Sequence, residues 1–271
     1  MAITDKKCNI EEGELSASDL VLDLLAAHDQ HRLPVAALCR AAMICGIREQ
    51  NVRVALSRLS QQGKVASTDR GSYALNSGSN SLLRDVDNWL RREQQAVAWN
   101  GGWIGVVDGA VPRRHKVVWR RHERALLLRG FRPLKAGLHL RPDNLKGGVA
   151  AVRHDLQGLG LAGQALVMAV YELSDADEQQ ARGLWNLKAL ERSYRSLIRR
   201  LQRSQARFPR QTDERIARES LLLGREAIRT ILHDPLLPES LMGGGVRHQL
   251  IECMRDYQTV AKTVWLRLLE E

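Results

Sequence analysis

The sequence predicts an α+β protein in three parts, and three observations predict it. Between residues 17 and 80 the order of elements is helix, helix, helix, hairpin. Between 102 and 175 short strands and helices alternate as β-α-β-β-α-β. From Leu184 onward apolar residues step by three and four, with no strand signal between them. At 271 residues with 44% hydrophobic content, the chain is long enough for two or three cores.

Residues 1–16 are polar and carry acids, which predicts a frayed tail. Helicity starts at the serine- and aspartate-bearing stretch around Ser18, with Leu20, Leu24 and Leu25 on one face. A second helix fits Pro34 to Cys45, with the proline at the front, where its missing N–H costs little. Gly46 ends it. "GIREQNVRVALSRLSQQGKV" (Gly46–Val65) predicts the third helix, stopped by Gly63. Lys64–Ser67 and Ser72–Leu75 are β-prone, with "TDRG" between them as the turn. Three helices followed by a hairpin is the winged helix-turn-helix order, assigned to 17–80. "NSGSNS" (Asn76–Ser81) reads as a linker, and a connecting helix is expected within 81–101, from Leu82 to about Ala98.

In the middle part, "GWIGVV" (Gly102–Val107) predicts a strand and Val111–Gly130 a helix. "FRPL" and "LHLR" predict two strands joined by "KAG". "LKGGVAAVRHDLQGLG" predicts a glycine-weakened helix and "QALVMAVYEL" a closing strand. This is the ferredoxin-like pattern, over 102–175. Residues 176–271 are expected to be all-helical. Leu187, Leu190, Tyr194, Leu197 and Leu201 form one stripe; Leu250, Met254, Tyr257, Ala261, Val264 and Leu268 form another. Either stripe suits a dimer surface, and either suits packing within the chain.

The third helix poses the functional question. With Val52 at the origin of a helical wheel, Ala55, Leu56 and Leu59 fall within about 60° of it, at about 100° per residue. The opposite side carries Gln50, Arg53, Val54, Ser57, Arg58 and Gln61, with Asn51 at its flank and no acid. Arginine pairs bidentately with guanine, and glutamine or asparagine with adenine, in the major groove. Residues 40–75 hold six basic groups (Arg40, Arg48, Arg53, Arg58, Lys64, Arg70) against Glu49 and Asp69. Solvated helices more often mix both signs. The expected DNA-contacting set is therefore Arg48, Gln50, Asn51, Arg53, Ser57 and Arg58 on the helix, with Lys64 and Arg70 on the hairpin. No Ser, Thr, Asp or Asn directly precedes this helix to cap it.

The net charge is +10 and the isoelectric point about 9.9, which points to a polyanionic partner. Between Arg113 and Arg153 lie twelve basic residues and only two acids, Glu123 and Asp143. Three readings of this basic middle stay open at the level of sequence. It is a second nucleic-acid contact, a site for a phosphate-bearing ligand such as a coenzyme A thioester, or a partner for acidic surfaces such as "SDADEQ" (Ser174–Gln179). A ligand site there would draw on Arg114, Arg120, Arg124 and Arg141.

Signals for chemistry are thin. There is no GxSxG, HExxH or Walker loop, and no GxGxxG after a strand. "GGG" at Gly243–Gly245 reads as a hinge. The four cysteines (Cys8, Cys39, Cys45, Cys253) lack metal-ligand spacing, so neither a metal site nor a cofactor is expected. Asp108, at the end of the first middle strand, is the one residue on which a metal-dependent nuclease of this fold would centre; a turn-forming role accounts for it as well. A sequence-independent nucleic-acid binder is the other alternative. There is no run of about 18 apolar residues and no secretory h-region, so a cytoplasmic, non-membrane protein is expected.

Four motifs in order resemble the PaaX-type repressors of phenylacetate catabolism. The first is V-R-x-A-L-S-R-L (Val52, Arg53, Ala55, Leu56, Ser57, Arg58, Leu59). The second is "RGFRPLKAGLHLRPDNL", with its glycine-phenylalanine strand and the G-x-x-x-R-P run from Gly137 to Pro142. The third is W-x-L-x-x-L-x-x-x-Y from Trp185 to Tyr194. The fourth is D-P-x-L-P-x-x-L (Asp234, Pro235, Leu237, Pro238, Leu241). The resemblance implies a non-enzymatic transcriptional repressor of a catabolic operon. It implies a homodimer bound to an inverted-repeat operator on double-stranded DNA and released by an acyl-CoA-type effector.

Overall fold

A computed structural model describes residues 15–68, 71–76 and 89–270. The chain is α+β with a helical C-terminal region, and it divides into two compact units, residues 1–75 with 268–271, and residues 76–267. The expected tail, the "TDRG" turn at Asp69 and Arg70, and the linker lie wholly or mostly outside the described residues.

In the first unit, α1 (Ala17–Ala27) starts at Ser16, whose hydroxyl accepts the Asp19 amide at 3.1 Å and meets the Asp19 carboxylate at 2.7 Å. The first bond satisfies one of the amides that the first helical turn leaves without partners, and the second holds the hydroxyl in place. α2 spans Val35–Ile44, and Pro34 is its N-cap rather than its first helical residue. α3 spans Glu49–Gln61 and ends where Gly63 turns at φ 66°. β2 (Val65–Thr68) and β3 (Ser72–Leu75) form the expected hairpin. A third strand, β1 (Arg32–Pro34), pairs antiparallel with β3 and went unread in the sequence. Three residues ending in proline carry little strand signal, and proline is tolerated there because β1 is an edge. Leu20, Val21, Leu24 and Leu25 of α1 are buried with Leu38, Ala41 and Ala42 of α2 and with Val52, Leu56 and Leu59 of α3. Each large aliphatic so buried is worth about 1.5–3 kcal/mol of transfer free energy.

In the second unit, β4 (Trp103–Val107), α4 (Lys116–Leu128), β5 (Arg132–Lys135), β6 (Leu138–Pro142), α5 (Gly148–Leu159) and β7 (Leu166–Val170) follow in the expected order. The four strands form one antiparallel sheet, ordered β5-β6-β4-β7. Ile104, Val106 and Val167 of the sheet, Ala125 and Leu126 of α4, and Val152 and Leu156 of α5 form a shared core. α4 begins only at Lys116, because residues 111–115 form turns after Asp108.

The connecting helix expected over 81–101 is corrected for residues 89–98. Trp89–Arg91 and Glu93–Gln95 are single 3-10 turns, after which Ala96 bridges to Leu145. The Val97 amide donates to Asn144 O at 2.8 Å and the Lys146 amide to Gln95 O at 2.9 Å. These backbone bonds to the β6–α5 loop hold the chain extended, which an α-helix would forbid. A short helix, α6 (Asp175–Arg182), opens the helical region at "SDADEQ". Ser174 caps it by accepting the Asp177 amide at 3.2 Å, and Asp175, Asp177 and Glu178 sit in the first turn, where the helix dipole favours acids. α7 (Leu187–Arg207), α8 (Asp213–Leu232) and α9 (Gly245–Glu270) complete the helical region.

Candidate nucleic-acid interface

The wheel of α3 translates directly into exposure. Val52, Ala55, Leu56 and Leu59 are buried, while Gln50, Asn51, Arg53, Val54, Ser57, Arg58 and Gln61 are exposed, Val54 by 63%. Arg48 is the N-cap and is also exposed, but its side chain makes no capping bond. Lys64, half-buried, leads into β2. Arg70 lies outside the described residues.

Two details modify the expected face. First, it is not free of acid: Arg53 Nη2 lies 2.6 Å and Nε 3.1 Å from Glu49 Oε1, one turn earlier. The wheel puts Glu49 outside the polar face, but a flexible side chain four residues away reaches it. This bond is what raises the Arg53 pKa. Second, Arg58 Nη2 donates to Ser18 Oγ at 2.7 Å, tying the guanidinium to the start of α1. Both pairs are exposed, so either arginine can exchange its protein partner for another acceptor.

The twelve basic residues of the middle separate into groups. Arg113, Arg114, Lys116, Arg120, Arg121 and Arg124 are exposed on α4 and the turns before it. Arg129 pairs with Asp155, its Nη2 2.9 Å from Oδ1, and Lys135 pairs with Asp177 at 2.6 Å. Arg153 donates to Val167 O at 2.8 Å.

Arg141 is corrected as a ligand residue. It is 2% exposed and its donors are engaged: Nε to Pro142 O at 3.1 Å, Nη1 to Arg129 O, and Nη2 to Asn144 Oδ1 at 3.0 Å. Burial, then Arg92 and Arg129 nearby, push its pKa down to about 9.

Arg141 belongs to a buried junction where the motifs of the second unit converge. Asn144 Nδ2 donates to Leu236 O at 2.7 Å. Trp185 Nε1 donates to Gly130 O at 3.1 Å, and its ring stacks on Trp103 with centroids 6.2 Å apart. Gly130, at φ 76°, leaves no room for a side chain: a Cβ there would stand 2.8 Å from Pro235 Cα. Tyr194 donates to Asp234 Oδ2 at 2.7 Å, and the Leu236 amide donates to Asp234 Oδ1 at 2.6 Å.

The C-terminal stripes are consumed within the chain. Tyr194, Leu197 and Leu201 of α7 and Leu250, Met254, Tyr257, Ala261 and Val264 of α9 are buried. Ser204 and Tyr257 share a 2.9 Å hydrogen bond, and Phe208 packs 5.4 Å from the Tyr257 ring. Leu187, Leu190 and Leu268, at the ends of the two stripes, are half-buried.

Residues 185–267 match the family model of the PaaX-like protein C-terminal domain. The chain is 28% identical over 235 residues to the transcriptional repressor PaaX of Escherichia coli (strain K12), covering 80% of this chain and 70% of that protein. The chain is thus similar to the PaaX-type repressors over most of its length. A solved structure, the uncharacterized protein Rv0674 from Mycobacterium tuberculosis, shares its fold with a TM-score of 0.59 at 21% identity, over 94% of this chain and 99% of that one.

Asp108 is 2% exposed, so its carboxylate is not presented to a substrate. The Ala162 amide donates to His122 Nδ1 at 3.3 Å, which leaves His122 Nε2 as the nitrogen that donates to Asp108 Oδ2 at 3.1 Å. His139 Nδ1 lies 3.5 Å from the same oxygen. Among the described residues no group of three or more His, Cys, Asp or Glu is placed to hold a metal ion, and no helix is long and apolar enough to cross a membrane. Cys39 is buried, and Cys45 and Cys253 are half-buried; Cys8 lies outside the described residues.

Proposed function

We propose that this chain is a DNA-binding transcriptional repressor that reads an operator with α3. In this reading the first unit is a winged helix-turn-helix domain, with β2 and β3 as the wing. The 102–175 segment is a ferredoxin-like domain, and 176–271 a helical one. The protein is cytoplasmic, has no enzymatic activity, and binds as a homodimer to an inverted repeat. Its two recognition helices then lie about 34 Å apart, or a multiple of that, on one side of the duplex.

The single observation that carries this reading is the exposed side of α3. One helix, fixed from behind by Val52, Leu56 and Leu59, holds Gln50, Asn51, Arg53, Ser57 and Arg58 outward together. These donors match base edges, and Lys64 and Arg70 match phosphates. The similarity to a transcriptional repressor supports the same reading. Release by an acyl-CoA-type effector is its finer part; the family resemblance supports it, and thermal stabilisation by a panel of acyl-CoA thioesters tests it.

The decisive experiment selects an operator from a random duplex pool and compares variants in a mobility shift. Arg53→Ala and Arg58→Ala are each expected to weaken operator binding by about 1–3 kcal/mol and relax its sequence preference. Wild-type affinity and preference in the double variant would remove α3 as the reader.

A further inference from the structure

The α4 surface gathers exposed positive charge. On α7 half of the exposed arginines are paired with acids, Arg195 with Glu191 at 2.7 Å, Arg200 with Glu226 at 2.6 Å and Arg207 with Glu219 at 2.5 Å, while Arg192, Arg199 and Arg203 make no ion pair among the described residues. Arg113, Arg114, Lys116, Arg120, Arg121 and Arg124 are all exposed, and none makes an ion pair with a carboxylate of the described residues. Lys116, Arg120 and Arg124 repeat at four-residue spacing, so like charges stack along one side, an arrangement that destabilises an isolated helix. The first turn of α4 also contains no acid to offset the positive end of the helix dipole. Arg113 lies over the Trp119 ring at 4.9 Å and Arg114 meets His115 at 3.4 Å, but none of the six charges is neutralised by an acid, which a bound polyanion would do.

The dimensions select among polyanions. Lys116 to Arg124 spans eight residues, about 12 Å of helix axis at 1.5 Å per residue. One strand of a duplex presents a phosphate roughly every 3.4 Å along its axis, so the row meets about three of them. That is longer than the reach of a single phosphoryl group. An anionic membrane fits poorly, because a helix lying on lipid inserts an apolar side. Here most of that side (Ala125, Leu126, Leu128) is buried in the protein core, and the exposed Val117, Val118 and Leu127 are single apolar residues among the cations.

We propose that the exposed side of α4 is a second DNA contact, made to backbone phosphates and independent of sequence. It rests on the reading of the chain as a DNA-binding protein, but not on α3 being the reader.

The test uses the full-length chain and a 30-base-pair duplex of random sequence, with affinity read by fluorescence anisotropy across a salt series. Each lost phosphate contact lowers the slope of log affinity against log salt by about 0.9. Lys116→Ala/Arg120→Ala/Arg124→Ala is expected to flatten the slope by roughly 2.7, three such losses, and Arg120→Lys/Arg124→Lys, which keeps Lys116, to leave it at the wild-type value. Arg120→Ala alone, expected to lose about 0.9, serves if the triple variant does not fold. An unchanged slope in the alanine variants overturns the proposal. So does tighter binding to duplex RNA than to DNA that these variants abolish, since it assigns the surface to RNA. The two surfaces separate cleanly: wild-type operator preference in Arg53→Ala/Arg58→Ala sinks the α3 reading and leaves the α4 result standing.

Discussion

The Tyr194 hydroxyl donates to the Asp234 carboxylate at 2.7 Å, both groups buried, and so joins the first long C-terminal helix to the Asp-Pro corner. Burial, then the nearby carboxylate, push the Tyr194 pKa up, so the phenol remains a donor. Asp234 keeps the Leu236 amide at 2.6 Å, with Arg247 Nη1 at 3.6 Å. Tyr194→Phe removes one donor from a buried carboxylate. It is expected to destabilise the chain by about 1–3 kcal/mol in urea unfolding. No loss of stability would mean that the carboxylate finds a substitute donor.

Arg48 sits at the N-cap of α3 with no side-chain bond to the first-turn amides. Arg48→Ser places a hydroxyl where those amides can use it. Thermal unfolding should show a gain of about 0.5–2 kcal/mol. DNA affinity should fall at the same time, because a cation leaves the proposed interface. A variant that loses stability contradicts this account of the cap.

Glu49 holds Arg53 on the exposed face. Glu49→Gln frees the guanidinium and removes a carboxylate from the phosphate side. Stability should change by no more than about 0.5 kcal/mol, as for exposed helical pairs. Operator affinity at low salt should rise roughly fivefold, the equivalent of about 1 kcal/mol of relieved repulsion. That gain should shrink as salt is added. Weaker binding instead would show that Glu49 positions Arg53 for DNA.

His139 has its pKa lowered, first by burial, with Asp108 opposing the shift and His122 and Arg113 adding to it. A histidine with a depressed folded pKa takes up its proton in the unfolded chain first. The unfolded state then binds more protons as pH falls through about 6.5, and stability is lost on acidification. His139→Gln should flatten this loss between pH 7 and 5 in denaturant melts. His248 works in the opposite direction: its pKa is raised by its bond to Glu93, so its contribution is present at low pH and lost as pH rises. The comparison of wild type with His139→Gln isolates the first effect. An identical pH profile in the two proteins would contradict it.

Local signals were read well where one period dominated. The split of α3 into a Val52-Ala55-Leu56-Leu59 core side and a Gln50-Arg53-Ser57-Arg58 outer side needed only helical geometry. Ser174 and Asp177 are a cap for α6 that is legible in the sequence. β1 was not legible: three residues become a strand only because β3 lies alongside. Nor were the 3-10 turns at 89–95, which depend on backbone bonds to residues 144 and 146.

The sequence by itself determined the element order, the amphipathic division of α3 and the excess of positive charge, because side-chain periodicity and charge are properties of neighbouring residues. Tertiary structure alone decided what each charge does. It buried Arg141 among backbone carbonyls, set Glu49 against Arg53, closed Asp108 in with two histidines, and left the α4 arginines facing water. Those outcomes depend on which distant groups arrive within hydrogen-bonding range and on how much water folding removes, and neither is encoded in local spacing.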